Sequence, residues 1–112
     1  MDERRKIAWI GGSVMFKGAI VSTEDLVIDG KVEGTIELGE HSLTLGEHST
    51  IVADLVAKTV IVSGTVKGNV IGVAKVELRK TANVEGDVTA PKLFVEDGAV
   101  LRGKVDTGTK RA

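Results

Sequence analysis

The chain has 112 residues, enough for one small domain, and its formal net charge of −1 gives no general attraction to nucleic acid. It contains no cysteine, which excludes disulfides and thiolate metal sites, and aromatic residues make up only 3% of it. Its apolar residues are mainly Val, Ile and Leu, which favours strands over helices, and no apolar run approaches the roughly 20 residues that span a bilayer.

The N-terminal segment, residues 1–9, lies outside the pattern that organises the rest of the chain. Its basic cluster precedes an amphipathic aromatic side chain, a combination that suits a membrane interface. One short anchor binds weakly, but many tails on a polymer would add their affinities. The alternative is a solvated tail whose apolar end caps the first coil. The residues assigned to membrane contact are Arg4, Arg5, Lys6, Ile7 and Trp9.

The stretch 26–36, "LVIDGKVEGTI", is the clearest copy of a repeating unit. Two short β-like runs flank the turn signal Asp29-Gly30-Lys31. Because side chains alternate faces along a strand, Glu33 and Thr35 are predicted to face water. The predicted inward positions are Leu26, Ile28, Val32, Gly34 and Ile36.

Two patterns recur along the chain with the same period. The pattern apolar-any-Gly-any-apolar begins at residues 16, 32, 66, 84 and 101, and a variant with Ala53 at its centre begins at residue 51. The pattern apolar-any-apolar begins at residues 26, 43, 60, 76 and 93. The mean spacing of about 17 residues leaves about six for each of three sides of a coil, which predicts a parallel β-helix.

The fold class predicted is therefore all-β, a single-stranded, three-sided parallel β-helix of about six coils. It extends over residues 10–105, with tails at 1–9 and 106–112. The glycine of each five-residue pattern is expected to sit at a corner that an inward side chain would crowd. The steps between the two patterns are irregular, 6, 8, 6, 8 and 8 residues, and with the general crossover preference they favour a right-handed coil.

Outward positions of the repeat support this register. The residue before each pattern centre alternates in charge along most of the column, which favours correct strand pairing more than it adds stability. The column consists of Lys17, Glu33, Val52, Lys67, Glu85 and Arg102.

The ends of such a β-helix are expected to be open strand edges that bind further copies, the alternative being that the tails fold back as caps. The residues predicted to mediate this self-association are Ile10, Val14, Phe16, Leu93, Val95 and Leu101. Outward Ile61 and Phe94 are predicted to make lateral contacts.

No residue set points to catalysis, a cofactor or a metal. His41 and His48 stand in a repeated "GEHS" without a third ligand, so they are interpreted as solvated turn residues. Residues 98–105, "GAVLRGKV", approach a phosphate-binding loop, but Val105 replaces the required hydroxyl residue and no helix is expected to follow. The chain is accordingly predicted not to be an enzyme.

Three stretches resemble the bactofilins, a family of bacterial cytoskeletal proteins: "IGGSVMFKGAI" (10–20), "LVIDGKVEGTI" (26–36) and "LFVEDGAVLRGKV" (93–105). The resemblance implies a right-handed, three-sided β-helix that polymerises end to end without a nucleotide. It also implies a cytoplasmic protein, peripheral at the inner face of the cytoplasmic membrane, that positions cell-wall or morphogenesis enzymes. The chain departs from the family at Leu101, where the last coil often carries Phe.

Two other functions compete with a structural polymer. A hexapeptide-type β-helical acyltransferase would need a regular six-residue repeat and a catalytic histidine, and the irregular steps argue against it. A non-polymerising β-helical adaptor module would share the fold but remain monomeric.

Overall fold

A computed structural model describes residues 7–11, 15–21 and 25–106, and every regular element within these ranges is a β-strand. All of the strand pairings are parallel. The strands are β1 (Ile7–Ile10), β2 (Met15–Val21), β3 (Asp25–Ile28), β4 (Lys31–Glu37), β5 (Ser42–Leu45), β6 (Thr50–Val62), β7 (Thr65–Lys67), β8 (Val70–Leu78), β9 (Asn83–Glu85), β10 (Val88–Thr89), β11 (Leu93–Val95), β12 (Val100–Arg102) and β13 (Val105–Asp106).

The strands wind into a parallel β-solenoid with three faces, which confirms the predicted fold class and is consistent with a right-handed β-helix. Face A consists of β1, β3, β5, residues 59–62, residues 75–78 and β11. Face B consists of residues 15–17, 31–33 and 50–52 followed by β7, β9 and β12. Face C consists of residues 19–21, 35–37, 54–57 and 70–72 followed by β10 and β13.

Each face therefore holds six stacked segments in the described part of the chain. We number the coils 1 to 6 by their segment on face A, so that coils 2, 3, 4, 5 and 6 begin at residues 25, 42, 59, 75 and 93. Neighbouring segments lie about 4.8 Å apart, as in any hydrogen-bonded sheet.

The aliphatic columns stack in the predicted register. On face A, Leu26 pairs with Leu43, which pairs in turn with Val60, Val76 and Leu93. On face C the column is Ile36, Leu55, Val70, Val88 and Val105. Of these ten side chains, all except Leu93 and Val105 in coil 6 are buried. The core is thus a set of like-on-like aliphatic columns, closed laterally by the winding of the chain.

The corners of the β-helix are occupied mainly by small residues. Between faces A and B the buried corner positions are Gly30, Ser49, Gly64 and Ala82. Between faces B and C the aligned positions are Gly18, Gly34, Ala53, Gly68, Gly86 and Gly103. Small residues fit here because backbones of successive coils approach closely where the chain bends.

The orientation predicted for Gly34 is wrong. Gly34 does not face the interior but is exposed at the corner between faces B and C, with φ of 134°. A Cβ atom on Gly34 would collide with the carbonyl oxygen of Gly18 in the preceding coil. The glycine is required by its backbone conformation and by the neighbouring coil's backbone, not by crowding in the core.

The outward charged column also has the predicted register, since Lys17 pairs with Glu33 and Lys67 pairs with Glu85 across adjacent strands. Within the described residues, an ion pair in this column joins Glu85 to Arg102, with Oε2 and Nη1 3.9 Å apart. Both side chains are substantially exposed, so the contact adds little to stability.

Candidate functional site

The C-terminal end of the β-helix exposes its own core. Each aliphatic column continues into coil 6, but no further coil lies on top of it within the described chain. Val88 is 1% exposed, whereas Val105, the next member of its column, is 44% exposed. Leu78 is 1% exposed, whereas Val95 above it is 50% exposed. An apolar cross-section of the core therefore faces outward at this end.

At the same end, the outermost strands of the described chain are paired with other strands on one side. Strand β11 pairs with β8, β12 pairs with β9, and β13 pairs with β10, and none of the three strands pairs with a second strand in the described ranges. Such edges are templates for the addition of another strand. The predicted residues Leu93 and Leu101 lie in β11 and β12, are half-buried, and pack against the core.

The N-terminal end is partly described. Among the described strands, β2 pairs with β4 alone, and its Phe16 and Ile20 are half-buried and pack against the core. Ile10 belongs to β1, which pairs with β3, but its side chain lies outside the described part. Val14 lies outside the described residues. Strand β1 begins at Ile7, so it includes three residues of the segment predicted as a tail.

The predicted lateral residues lie in one outward column on face A. Ile61 pairs with Glu77, and Glu77 pairs with Phe94, which places the two apolar side chains two coils apart. Phe94 is 54% exposed, and the Nζ atom of Lys75 lies 5.8 Å from its ring centroid. A cavity of about 500 Å³ adjoins this column, lined by Glu77, Leu78, Arg79, Leu93, Phe94, Val95 and Glu96.

The predicted membrane residues are mostly beyond the described chain. Arg4, Arg5 and Lys6 lie outside it, and Ile7 and Trp9 belong to β1, of whose side chains nothing is described. In the described residues, no helix has the length and apolar character needed to cross a bilayer.

The two histidines each lie beside an aspartate that precedes them by about one turn of the β-helix. His41 Nδ1 is 3.8 Å from Asp25 Oδ1, and His48 Nδ1 is 4.0 Å from Asp29 Oδ1. These are pairs rather than clusters, and no group of three potential ligands for a metal occurs in residues 7–11, 15–21 and 25–106.

Several carboxylates have a role that the sequence analysis missed. These acidic side chains accept hydrogen bonds from backbone N–H groups of a neighbouring coil. The Ser42 N–H donates to Asp25 Oδ1 at 2.9 Å, and the Lys80 N–H donates to Glu96 Oε1 at 3.0 Å. In the sequence, each of these acidic residues lies at or next to the end of a strand. It is about one period of the repeat away from the residue whose N–H group it accepts.

Comparison with known proteins identifies relatives over nearly the whole chain. A family model described as Bactofilin, polymer-forming cytoskeletal, matches residues 8–106. Bactofilin BacO of Myxococcus xanthus (strain DK1622) is 41% identical over 101 residues, which cover 90% of this chain and 79% of BacO. Bactofilin BacP of the same organism is 36% identical over 99 residues, which cover 88% of this chain and 41% of BacP. No solved structure gives a significant match.

Proposed function

Because this chain belongs to the bactofilin family of polymer-forming cytoskeletal proteins, we propose that it assembles end to end into filaments without a nucleotide. The observation that carries the proposal is the exposed core at the C-terminal end, where Val95, Leu101 and Val105 continue columns that are buried one coil earlier. Stacking another β-helix on this end would bury these side chains, at about 25 cal/mol for each Å² of apolar surface removed from water.

The backbone supports the same arrangement. The outer edges of β11, β12 and β13 lie on three faces of one coil, so a second copy would extend all three faces together. Each new strand pair would add backbone hydrogen bonds along the outer edges of these strands. At the opposite end, Phe16 and Ile20 of β2 offer a matching apolar surface, joined in the proposal by Ile10 and Val14.

In the cell, we propose a non-enzymatic scaffold in the cytoplasm, held peripherally at the inner face of the cytoplasmic membrane. There it would position cell-wall or cell-shape enzymes. The support is the family assignment together with the basic cluster Arg4, Arg5 and Lys6, followed by Ile7 and Trp9. Each tail contributes weakly, and a filament would present many tails to one surface.

Electron microscopy of the purified protein without nucleotide tests the polymer, with Leu101→Arg as the informative variant. The substituted guanidinium would bury a charge at the proposed junction, so we expect folded protein with filaments shortened or lost. Val100→Arg is the matched control, because Val100 is the neighbouring residue, lies in the same strand and is 40% exposed on the outer side. That variant should form filaments of normal length.

The outcome that contradicts the junction is equally specific. If Leu101→Arg forms long filaments, the C-terminal end of the β-helix is not part of the assembly contact. Monomers or discrete trimers of the unmodified protein would contradict polymerisation itself.

Liposome co-sedimentation tests the membrane contact. Replacement of Arg4, Arg5 and Lys6 by Ser leaves β1 in place and should release the protein from anionic vesicles. Binding of the unmodified protein should also fall as salt is raised, because surface charge attraction is screened within about 10 Å at 0.1 M salt. Unchanged sedimentation of the Ser variant would contradict a role for the basic cluster.

A further inference from the structure

The chain contains two aspartates that are followed directly by glycine, in Asp29-Gly30 and Asp97-Gly98. In such a dipeptide the backbone nitrogen of the glycine can attack the side-chain carboxyl carbon of the aspartate, because glycine has no Cβ atom to hinder the approach. The attack needs a mobile backbone and an unengaged carboxyl group, so an exposed turn permits it and a packed corner opposes it. Both dipeptides connect face A to face B, one in coil 2 and one in coil 6, and the structure treats them differently.

The Asp29-Gly30 corner is held in place by its surroundings. These two residues are the whole connection between β3 and β4, and each of these strands pairs with a strand on both sides. Gly30 is buried, and its carbonyl accepts from the Thr50 N–H at 3.0 Å. The Asp29 carboxylate is engaged with the next coil, because its Oδ1 atom accepts from the His48 N–H at 3.4 Å. A Cβ atom on Gly46 would collide with the same oxygen, so the carboxylate fills the space beside that glycine.

The Asp97-Gly98 pair lacks these restraints in the described part of the chain. It forms the exposed centre of the four-residue connection between β11 and β12. Each of these strands pairs with one other strand in the described ranges. The Asp97 carboxylate makes no hydrogen bond or ion pair with a described residue. The connection is spanned by a single turn bond, in which the Ala99 N–H donates to the Glu96 carbonyl at 3.1 Å. The two features that permit the attack, a mobile backbone and an unengaged carboxyl group, therefore meet at residue 97.

We propose that Asp97 is a site of spontaneous isomerisation in the folded protein. The Gly98 nitrogen attacks the Cγ atom of the Asp97 carboxyl group, and the N–H proton and the carboxyl hydroxyl leave together as water, which forms a cyclic succinimide. Water then adds to one of the two imide carbonyls. Opening at the former main-chain carbonyl leaves the main chain running through Cγ, which is isoaspartate, whereas opening at Cγ restores aspartate. The reaction consumes no oxidant, cofactor or net water.

The product differs from aspartate in two ways. Its main chain is longer by a methylene group, and its α-carboxylate becomes a side group, which is what S-adenosylmethionine-dependent isoaspartyl methyltransferases esterify. The longer connection would displace β12, where the Val100 N–H donates to the Ala82 carbonyl at 2.9 Å and Leu101 follows. Isomerisation should therefore weaken the end-to-end contact. This consequence rests on the proposed function, whereas the isomerisation itself does not.

Peptide mapping of the folded, unmodified protein after prolonged incubation at neutral pH tests the site. Isoaspartate is detected by enzymatic transfer of a labelled methyl group and by resistance to a protease that cleaves before aspartate. It should accumulate at residue 97 at least about 10-fold faster than at residue 29, because the Asp29-Gly30 corner must open before it can react. The matched control is the same protein in concentrated urea, where the two sites should react at similar rates.

The opposite results are clear. Equal accumulation at the two sites in the folded protein would overturn the proposal, and so would an unreacted residue 97 in folded protein when the urea sample reacts at both sites. Asp97→Ser removes the attacked carboxyl group and should abolish the signal from this peptide. The signal from the peptide that contains residue 29 should stay the same in that variant.

Electron microscopy of aged protein tests the consequence for assembly separately. Aged unmodified protein should form fewer or shorter filaments than fresh protein, whereas aged and fresh Asp97→Ser should assemble alike. If protein that carries isoaspartate at residue 97 assembles normally, the effect on the junction is wrong and the modification stands. If fresh unmodified protein forms no filaments, the proposed function fails and this consequence fails with it, but the isomerisation does not.

Discussion

At the scale of single residues, the corner between faces B and C depends on the absence of a Cβ atom in glycine. Gly34 has a backbone conformation that L-residues rarely adopt, and its missing Cβ leaves space for the Gly18 carbonyl of the preceding coil. The same relation recurs where Gly86 faces Gly68 and Gly103 faces Gly86. In the third coil the corner is formed instead by Ala53, whose φ is not positive and whose side chain is buried.

Gly34→Leu should therefore destabilise the protein strongly. Backbone strain alone is expected to lower the free energy of unfolding by about 1–3 kcal/mol, and the collision with the Gly18 carbonyl adds to this. Thr35→Leu is the control, since Thr35 is the next residue, is exposed and has an ordinary backbone. It should change stability by no more than about 0.5 kcal/mol. Urea unfolding followed by circular dichroism measures both, and equal stability of the two variants would contradict this account.

At the scale of strands and corners, side-chain carboxylates complete the hydrogen bonding between coils. Where a strand ends and the chain turns, the regular ladder is interrupted, and some N–H groups need another acceptor. The Asp25 carboxylate accepts from the Ser42 N–H, and the Glu96 carboxylate accepts from the Lys80 N–H. Asp87 accepts in the same way from the Lys104 N–H at 3.3 Å. The acidic residues of this chain are therefore partly structural, although they lie at the surface.

Asp25→Ala should lower the free energy of unfolding by about 1 kcal/mol, because the partly buried Ser42 N–H loses its acceptor. Asp25→Asn should lose less, since the amide oxygen can accept the same hydrogen bond. Glu33→Ala serves as the comparison, because Glu33 is exposed in the middle of β4 and caps no backbone group in the described chain. Chemical denaturation of the three variants measures the difference. If Asp25→Ala is as stable as Asp25→Asn, the hydrogen bond contributes nothing.

Strand register was predictable from sequence, whereas the corners were not. The alternation of Leu26, Val27 and Ile28 and the spacing of about 17 residues are sufficient to place each aliphatic side chain above its counterpart. The alternation of inward and outward side chains along a strand is interrupted at a residue with positive φ. The alternation rule therefore places Gly34 in the interior, whereas the structure exposes it. The steps of 6, 8, 6, 8 and 8 residues correspond to connections of two or four residues between faces A and B, although from sequence they indicate only handedness. The path of each connection was not predictable, because it depends on which corner residues are buried.

At the scale of the whole molecule, the coils differ in whether their strands pair with a neighbouring coil on both sides or on one. Coils 3 and 4 are paired on both sides, and their inward residues such as Leu43, Val60 and Val66 are fully buried. Coil 6 is paired on one side only within the described residues. Local unfolding costs the least free energy where buried apolar contacts are few and backbone hydrogen bonds are exposed to solvent. Local stability should therefore decline toward coil 6.

Hydrogen exchange should reveal this gradient and its loss on assembly. In unassembled Leu101→Arg protein, the amides of residues 93–106 should exchange much faster than those of residues 42–67. In filaments of the unmodified protein, the same terminal amides should become protected, because a stacked copy adds a neighbouring strand on each face. Protection of the internal coils should change little. Terminal amides that stay equally fast in filaments would show that this edge is not covered by assembly.

The equivalence of successive coils also bears on how such a molecule can change in evolution. Since each coil presents nearly the same hydrogen-bonding register to the coil before and after it, a duplicated gene segment of one period can enter the interior without disturbing either terminus. Each duplication would lengthen the subunit by about 4.8 Å. An inserted coil would therefore change the axial repeat of the proposed filament and leave the surfaces at both of its ends unaltered.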